Sequence, residues 1–347
     1  MNDDFQRRMA EAARLMRSGS LMEATAAIQQ ALGATPAAKH EDADVIDVEA
    51  RVIPDADAKS ASAAVRGTAE SFTAGHFRNE CGARDYKLFE PARDGRPLPL
   101  VVMLHGCTQD PDDFARGTRM NALARTQGFL VLYPAQSQRA NAQRCWNWFK
   151  HNHQARGKGE PAILAGMVRE VIATHGVDPA RVYVAGLSAG GAMAAILGDA
   201  YPELFAAVGV HSGLPTGSAT DVQSAFAAMS GGAQPVRRVP KTGPTPPTIV
   251  FHGDADTTVH VVNGERVLQA AGLFASPEMR RGSSAMGVAW SCRRFVDAHG
   301  AERAEEWTIH GAGHAWSGGD LAGSYTDPRG PDASAEMLRF FLQHPRR

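Results

Sequence analysis

The chain has 347 residues, of which 44% are hydrophobic, enough for a substantial core in one α/β domain with appendages or in two average domains. The formal net charge of −1 and the dispersed basic residues argue against binding to nucleic acid or to an anionic membrane surface. Four cysteines in a chain of this length do not predict a disulfide scaffold, and no Cys/His spacing predicts a metal site.

The N-terminal segment carries acidic residues where a signal peptide requires positive charge, and no run of residues approaches the roughly 20 apolar positions of a membrane-spanning helix. We therefore expect a cytoplasmic protein with no transmembrane segment. Residues 1–33 have apolar residues at helical spacing and predict a helical hairpin, which would dock on the main domain or on a partner. Residues 34–70 are rich in acidic residues and alanine, and predict a linker.

Residues 71–347 alternate between strand-like and helix-like segments, which is typical of a mostly parallel sheet with helices on both faces. The stretches LPLVVML, FLVLYP, RVYVA, AAVGVH and PTIVFHG predict strands, and a hairpin is expected near 288–309. Helices are predicted near the ranges 112–127, 161–175, 190–200, 221–229 and 332–343. Residues 213–246 are rich in Gly, Pro and Ser and predict a functional loop, such as a lid or a substrate-binding loop.

The sequence Gly186-Leu187-Ser188-Ala189-Gly190 has the G-x-S-x-G pattern between a predicted strand and a predicted helix. In that context the glycines allow a sharp turn, because neighbours without a Cβ let the strand and the helix approach closely while the serine hydroxyl stays exposed. The pattern predicts that Ser188 is a nucleophile, against the alternative of an incidental serine in a glycine-rich turn.

A serine nucleophile needs a base and an acid that orients the base, and on α/β-hydrolases these follow in the order Asp, then His. The segment HGDADTTV offers Asp254 and Asp256. We favour Asp256, because Asp254 can close the turn through its own backbone. His314 lies late in the chain, in a loop after a predicted strand, and is the predicted base. Glycines between His310 and His314 argue against a two-histidine metal face.

Backbone N–H groups must also face the oxyanion of the tetrahedral intermediate. The residue after the nucleophile, Ala189, would supply one donor. The loop after the strand LPLVVML would supply the other, and we favour Cys107, with Gly106 as the alternative.

Five segments in order, HGCTQDPDDF, RCWNWF, GLSAGGAM, HGDADTTV and GAGHAWSGG, resemble the polyhydroxybutyrate (PHB) depolymerase family of serine esterases, neighbours of feruloyl and acetylxylan esterases. The resemblance covers about residues 72–344. It implies an α/β-hydrolase fold, ester hydrolysis without a cofactor, and a triad of Ser188, Asp256 and His314. The family pattern also suggests that Cys107 and Cys145 lie close enough to form a disulfide.

The resemblance further suggests a set of substrate-binding residues, whose aromatic members would form a wall beside the site. These residues are His105, Trp146, Trp148 and Trp316. Ordinary core packing is the alternative for the three tryptophans, because aromatic side chains dominate both cores and ligand pockets.

The substrate expected from the resemblance is a carboxylic ester. Secreted depolymerases resemble modular proteins with a signal peptide and a polymer-binding domain, and we recognise neither here, so we expect short-chain hydroxyalkanoate esters or oligomers rather than solid polymer. A feruloyl or acetylxylan type of esterase, or a general carboxylesterase, is the alternative. A serine peptidase on the same fold and a non-catalytic scaffold are further alternatives. The N-terminal hairpin would tether the enzyme to an intracellular granule or mediate self-association.

Overall fold

The computed structural model describes residues 69–232, 245–272 and 277–346. The hairpin predicted at 1–33 lies outside the described residues, as does nearly all of the linker predicted at 34–70. The described residues therefore belong almost entirely to the predicted catalytic region, where strands and helices alternate as the sequence indicates.

The described residues form one sheet of ten strands and a separate pair of short strands. In the sheet these are β1 (Ser71–Asn79), β2 (Gly82–Glu90), β3 (Leu98–Leu104), β4 (Leu130–Pro134), β5 (Val177–Leu187), β6 (Ala207–His211), β7 (Thr248–Gly253), β8 (Glu278–Ser283), β9 (Ala289–Val296) and β10 (Glu302–Ile309). The short pair is β11 (Trp316–Ser317) and β12 (Thr326–Asp327). The strand order across the sheet is β1-β2-β4-β3-β5-β6-β7-β10-β9-β8.

Seven α-helices lie within the described residues. They are α1 (Pro111–Thr118), α2 (Met120–Gln127), α3 (Gly159–Thr174), α4 (Ala189–Ala200), α5 (Val222–Met229), α6 (Val262–Ala270) and α7 (Ala333–Gln343). A short 3₁₀ helix spans His151–His153. The aspartates Asp110, Asp221 and Asp332 cap α1, α5 and α7 by accepting a hydrogen bond from a backbone N–H of the first turn.

The centre of the sheet is parallel and its two margins are antiparallel. Strands β4, β3, β5, β6, β7 and β10 pair in parallel, whereas β1 and β2 at one margin and β9 and β8 at the other pair antiparallel. Helices α3, α4, α5 and α6 contribute to the core on one face, and α1, α2 and α7 to the core on the other. The expected α/β-hydrolase architecture, a mostly parallel sheet covered on both faces, is confirmed.

The structure divides one predicted helix. Instead of a continuous helix near 112–127, α1 and α2 are separated by Arg119, which has the left-handed φ of 53°. The side chain of Arg119 donates to the carbonyl of Gly318 at 2.9 Å and to the carboxylate of Asp332 at 3.1 Å. These long-range bonds accompany the break, and the periodicity of the segment gave no sign of it.

The sheet margin formed by β10, β9 and β8 also differs from the prediction. The hairpin expected near 288–309 is present as β9 and β10, but β8 adds a further strand that the sequence did not reveal. Of the loop expected at 213–246, residues 213–219 are buried, so this part packs into the interior. Residues 233–244 lie outside the described residues.

Close backbone packing brings the end of β5 to the start of α4. A Cβ placed on Gly190 would lie 2.0 Å from the carbonyl oxygen of Leu104, and one on Gly186 would lie 2.4 Å from the carbonyl carbon of Gly190. Both distances are far shorter than any real contact. Only glycine therefore fits at these two positions, as the steric argument from the sequence requires.

We expect the substitution Gly190→Ala to lower the free energy of unfolding by about 3 kcal/mol or more, since the clash is with backbone that no rotamer change can relieve. Gly313→Ala is the matched control, because a Cβ there meets nothing within 4 Å. Urea unfolding of both variants measures the difference. Equal stability of the two variants would contradict this packing.

Candidate active site

Ser188 lies at the turn between β5 and α4 with φ of 57° and ψ of −118°. This backbone conformation is strained for a residue with a side chain, and such strain is concentrated at functional sites. The backbone N–H of Ser188 donates to the carbonyl of His211 at 2.8 Å, which anchors the turn to the end of β6. The residue is half-buried, and the N–H of Ala189 begins α4, where no intrahelical acceptor is available.

Asp256 and His314 meet at the ends of β7 and β10. His314 Nδ1 lies 2.7 Å from Asp256 Oδ2, and the Asp256 side chain is fully buried while 11% of the His314 side chain is exposed. Backbone N–H groups of Thr258 and Val259 donate to the other carboxylate oxygen at 2.9 and 2.8 Å. The carboxylate is therefore fixed in orientation, with one oxygen directed at the imidazole.

Burial alone would raise the pKa of Asp256, but the hydrogen bonds from His252, His314 and the backbone outweigh it and hold that pKa well below its usual range. The contact of His252 Nε2 with Asp256 is long, at 3.5 Å, and the same atom lies 2.8 Å from the carbonyl oxygen of Val259. We therefore assign most of the effect to His314 and the backbone N–H groups. Asp256 is ionised at neutral pH.

Asp254, the alternative acid, has different partners. Its Oδ2 lies 2.8 Å from His310 Nδ1, and its Oδ1 accepts the backbone N–H of Gly311 at 2.6 Å. The structure thus gives each aspartate its own histidine, and it is Asp256 that contacts His314.

The loop after β3 approaches the nucleophile. A Cβ on Gly106 would lie 3.7 Å from the Cβ of Ser188, so the backbone of this loop passes beside the serine. The N–H of Gly106 already donates to Gln109 Oε1 at 2.9 Å, which removes it from competition for an oxyanion. Cys107 has no such acceptor for its N–H among the described residues, which favours Cys107 over Gly106 as the second donor.

Several contacts hold this loop in place. Cys107 and Cys145 form a disulfide, as the resemblance suggested, and Thr108 N–H donates to the carbonyl of Gln143 at 2.6 Å. The indole N–H of Trp146 donates to the carbonyl of His105 at 3.1 Å. Three residues of the loop, His105, Cys107 and Thr108, are thereby joined to the segment that contains RCWNWF.

The four residues predicted to bind substrate are buried in this structure. The residues are at most 5% exposed: His105 1%, Trp146 0%, Trp148 5% and Trp316 1%. His105 Nδ1 contacts the carbonyl of Gly106 at 2.7 Å while its Nε2 accepts the N–H of Gln136 at 3.1 Å, so its ring braces the loop from inside. Interior packing, the alternative weighed from the sequence, describes their placement better.

His211 is a site residue that the sequence analysis missed. Its carbonyl holds the turn of Ser188, and its Nε2 accepts the backbone N–H of Ser317, three residues after His314, at 3.0 Å. The ring stacks between Phe251 and Trp316 with centroids 5.8 and 5.1 Å away. One buried histidine therefore links the turn of Ser188 to the loop that follows His314. Its position at the end of the strand AVGVH, in sheet order next to β5, is the signal that would have identified it.

Burial lowers the pKa of His211 to about 3 and that of His105 to about 4, although the hydrogen bond to Gly106 partly opposes the effect at His105. Both rings are therefore neutral in the folded protein, and each accepts a backbone N–H at Nε2. In the unfolded chain the pKa of each imidazole is near its ordinary value of 6.5.

We expect the free energy of unfolding to fall as the pH is lowered below about 6.5, because the unfolded state then binds protons that the folded state rejects. Each of the two histidines contributes up to about 1.4 kcal/mol per pH unit in this range. Urea unfolding at pH 7 and pH 5 measures the slope. His211→Asn should flatten it, whereas His151→Asn, at an exposed position, should not. An unchanged slope in His211→Asn would contradict the assignment.

Neither a metal site nor a membrane-spanning helix is found among the described residues. No group of three or more His, Cys, Asp or Glu side chains within them is arranged to hold a metal ion. Over the ranges 69–232, 245–272 and 277–346, no helix has both the length and the apolar character needed to cross a membrane.

Comparison with known proteins places these residues among esterases. A family model described as Esterase PHB depolymerase matches residues 85–308. Poly(3-hydroxyalkanoate) depolymerase C of Paucimonas lemoignei is 34% identical over 247 residues, 66% of this chain and 58% of that protein. Probable acetylxylan esterase A of Aspergillus fumigatus is 32% identical over 196 residues, 50% of this chain and 51% of that protein. The chain spans about half the length of the curated relatives it matches.

A solved structure agrees with the fold. The acetyl xylan esterase from Aspergillus awamori superposes with a TM-score of 0.61 at 20% identity, covering 75% of this chain and 94% of that chain. At this level of identity the likeness concerns the fold alone.

Proposed function

Because this chain belongs to the PHB depolymerase family of esterases, we propose that it is a serine esterase that hydrolyses carboxylic esters through an acyl-enzyme. The observation that carries the proposal is the strained turn of Ser188 beside the loop of Gly106. The separate Asp256–His314 pair at 2.7 Å adds an oriented base. Together these are the parts that acyl transfer requires.

In the first half of the reaction, Ser188 Oγ attacks the ester carbonyl and its proton passes to His314 Nε2. Asp256, bonded to Nδ1, fixes the tautomer that leaves Nε2 free to accept and stabilises the imidazolium that forms. The N–H groups of Cys107 and Ala189 donate to the oxyanion. His314 then protonates the leaving alcohol, and water repeats the sequence on the acyl-enzyme without any cofactor or metal.

The substrate that we propose is a short-chain hydroxyalkanoate ester or its oligomer, supported by the family and by the relative named as a poly(3-hydroxyalkanoate) depolymerase. Acetylxylan or feruloyl esters are the second candidate, supported by the relatives with those names. Tyr325 is half-exposed, and its hydroxyl lies 3.3 Å from Thr108 Oγ1 in the loop after β3. We propose that it contacts the substrate in place of the buried tryptophans.

The compartment and the partners also remain proposals. The cytoplasmic location inferred from the N-terminal sequence is at odds with the Cys107–Cys145 disulfide, because cytosolic thiols are kept reduced. The proposed roles of residues 1–33 in tethering to a granule or in self-association have no support from the described residues.

Ser188→Ala should lower steady-state kcat by at least about 10⁴-fold, because the covalent route is lost while the fold is kept. Asp256→Asn should lose a similar factor through the wrong histidine tautomer. Asp254→Asn is the matched control, two residues away, and should stay within about tenfold of the wild type. Initial rates on p-nitrophenyl butyrate give these values.

The same enzymes are then assayed on hydroxybutyrate oligomers, acetylated xylan and methyl ferulate. Preferential turnover of the oligomers supports the hydroxyalkanoate assignment, and turnover confined to xylan or ferulate esters contradicts it. An Asp254→Asn enzyme as impaired as Asp256→Asn would contradict the choice of acid.

A further inference from the structure

A second Ser–His–Asp array lies outside the site described above. Ser291 Oγ on β9 is 2.8 Å from His310 Nε2, and His310 Nδ1 is 2.8 Å from Asp254 Oδ2. The array is accessible, since 43% of the His310 side chain and 38% of the Asp254 side chain are exposed and Ser291 is half-buried. It shares no side chain with Ser188, Asp256 or His314.

The hydrogen bonding of this array defines the role of each nitrogen. A carboxylate can only accept, so His310 Nδ1 carries the proton that it donates to Asp254. In the neutral ring Nε2 is then an acceptor, and it faces the Ser291 hydroxyl. Asp254 is itself fixed by the N–H of Gly311 at 2.6 Å. This is the arrangement in which a histidine accepts the proton of a serine nucleophile.

The residue paired with Ser291 on the neighbouring strand is a cation. Arg281 on β8 pairs directly with Ser291 in the antiparallel register, so the two side chains leave the same face of the sheet as cross-strand neighbours. Arg281 is exposed, and within the part of the chain that the structure describes its guanidinium has no hydrogen-bond or ion-pair partner. A free guanidinium at this position is available to a developing oxyanion.

We propose that Ser291 is a second nucleophile of this chain, which is acylated by activated esters and phosphonylated by organophosphonates. In the acylation step Ser291 Oγ forms a bond to the carbonyl carbon, and its proton passes to His310 Nε2. Arg281 stabilises the oxyanion. The ester C–O bond then breaks and the leaving alcohol takes the proton from His310, so that one ester and one serine give one acyl-serine and one alcohol.

The reaction at Ser291 is slow compared with that at Ser188. Ser291 lies within a strand, without the elbow and helix N-terminus that present Ser188. Each missing oxyanion donor costs about 10²- to 10³-fold in rate. The expected product is therefore a stoichiometric adduct, detectable once Ser188 is removed, rather than appreciable turnover.

The test uses the full-length Ser188→Ala protein with a fluorophosphonate and, separately, with p-nitrophenyl acetate. Peptide mass spectrometry follows the rate of modification at Ser291 and at Ser283, an exposed serine at the end of β8 that serves as the internal control. General-base assistance predicts modification of Ser291 about 100-fold faster than that of Ser283. Adding Ser291→Ala should abolish that adduct, and adding His310→Gln should reduce its rate to that of Ser283.

Arg281→Gln should slow modification of Ser291 by about tenfold or more, and Arg281→Lys should restore part of the rate by retaining the charge. Modification of Ser291 no faster than that of Ser283, or a rate unaffected by His310→Gln in a protein of unchanged circular dichroism, would overturn the proposal. The wild-type protein, labelled in parallel, reports on Ser188. Absence of labelling at Ser188 would contradict the proposed function, whereas the labelling at Ser291 would still be interpreted independently.

Discussion

The site depends on one close approach of backbone to backbone. Gly190 at the first turn of α4 lies against the carbonyl of Leu104 at the end of β3, at a distance that excludes any side chain. This approach sets the sharp turn that holds Ser188 in its strained conformation, and it brings the loop after β3 beside the serine. Ser188 and the loop after β3 are therefore positioned by the same contact.

Backbone hydrogen bonds also align Asp256 with His314. The N–H groups of Asp254 and Ala255 donate to the carbonyls of Ile309 and Ala312 at 3.1 and 3.0 Å, which joins the turn after β7 to the turn after β10. Because neighbouring parallel strands end at the same edge of the sheet, these turns meet without long connections. His211, at the end of β6, then joins the loop that follows His314 to the turn of Ser188. Ser188, Asp256 and His314 thus all lie just after the ends of strands in the parallel part of the sheet.

The sequence predicted the parts whose chemistry is local. The strand-turn-helix at Ser188 and the order of acid and base follow from short motifs, and the structure brings Asp256 to His314 as expected. Long-range packing was not readable from such motifs. An aromatic residue gives the same sequence signal whether its side chain lines a pocket or fills the core. Trp146 was therefore predicted to bind substrate, although it is buried. The array of Ser291, His310 and Asp254 was not predicted, because only the pairing of separate strands brings these residues together.

A crystal structure of the wild-type enzyme inhibited by a phosphonate ester tests the central claim most directly, since the adduct mimics the tetrahedral intermediate. The account predicts a covalent bond from phosphorus to Ser188 Oγ, with one phosphonyl oxygen within about 3 Å of the N–H groups of both Cys107 and Ala189. An adduct whose phosphonyl oxygen points away from both N–H groups, or a Ser188 that stays unmodified under full inhibition, would contradict it.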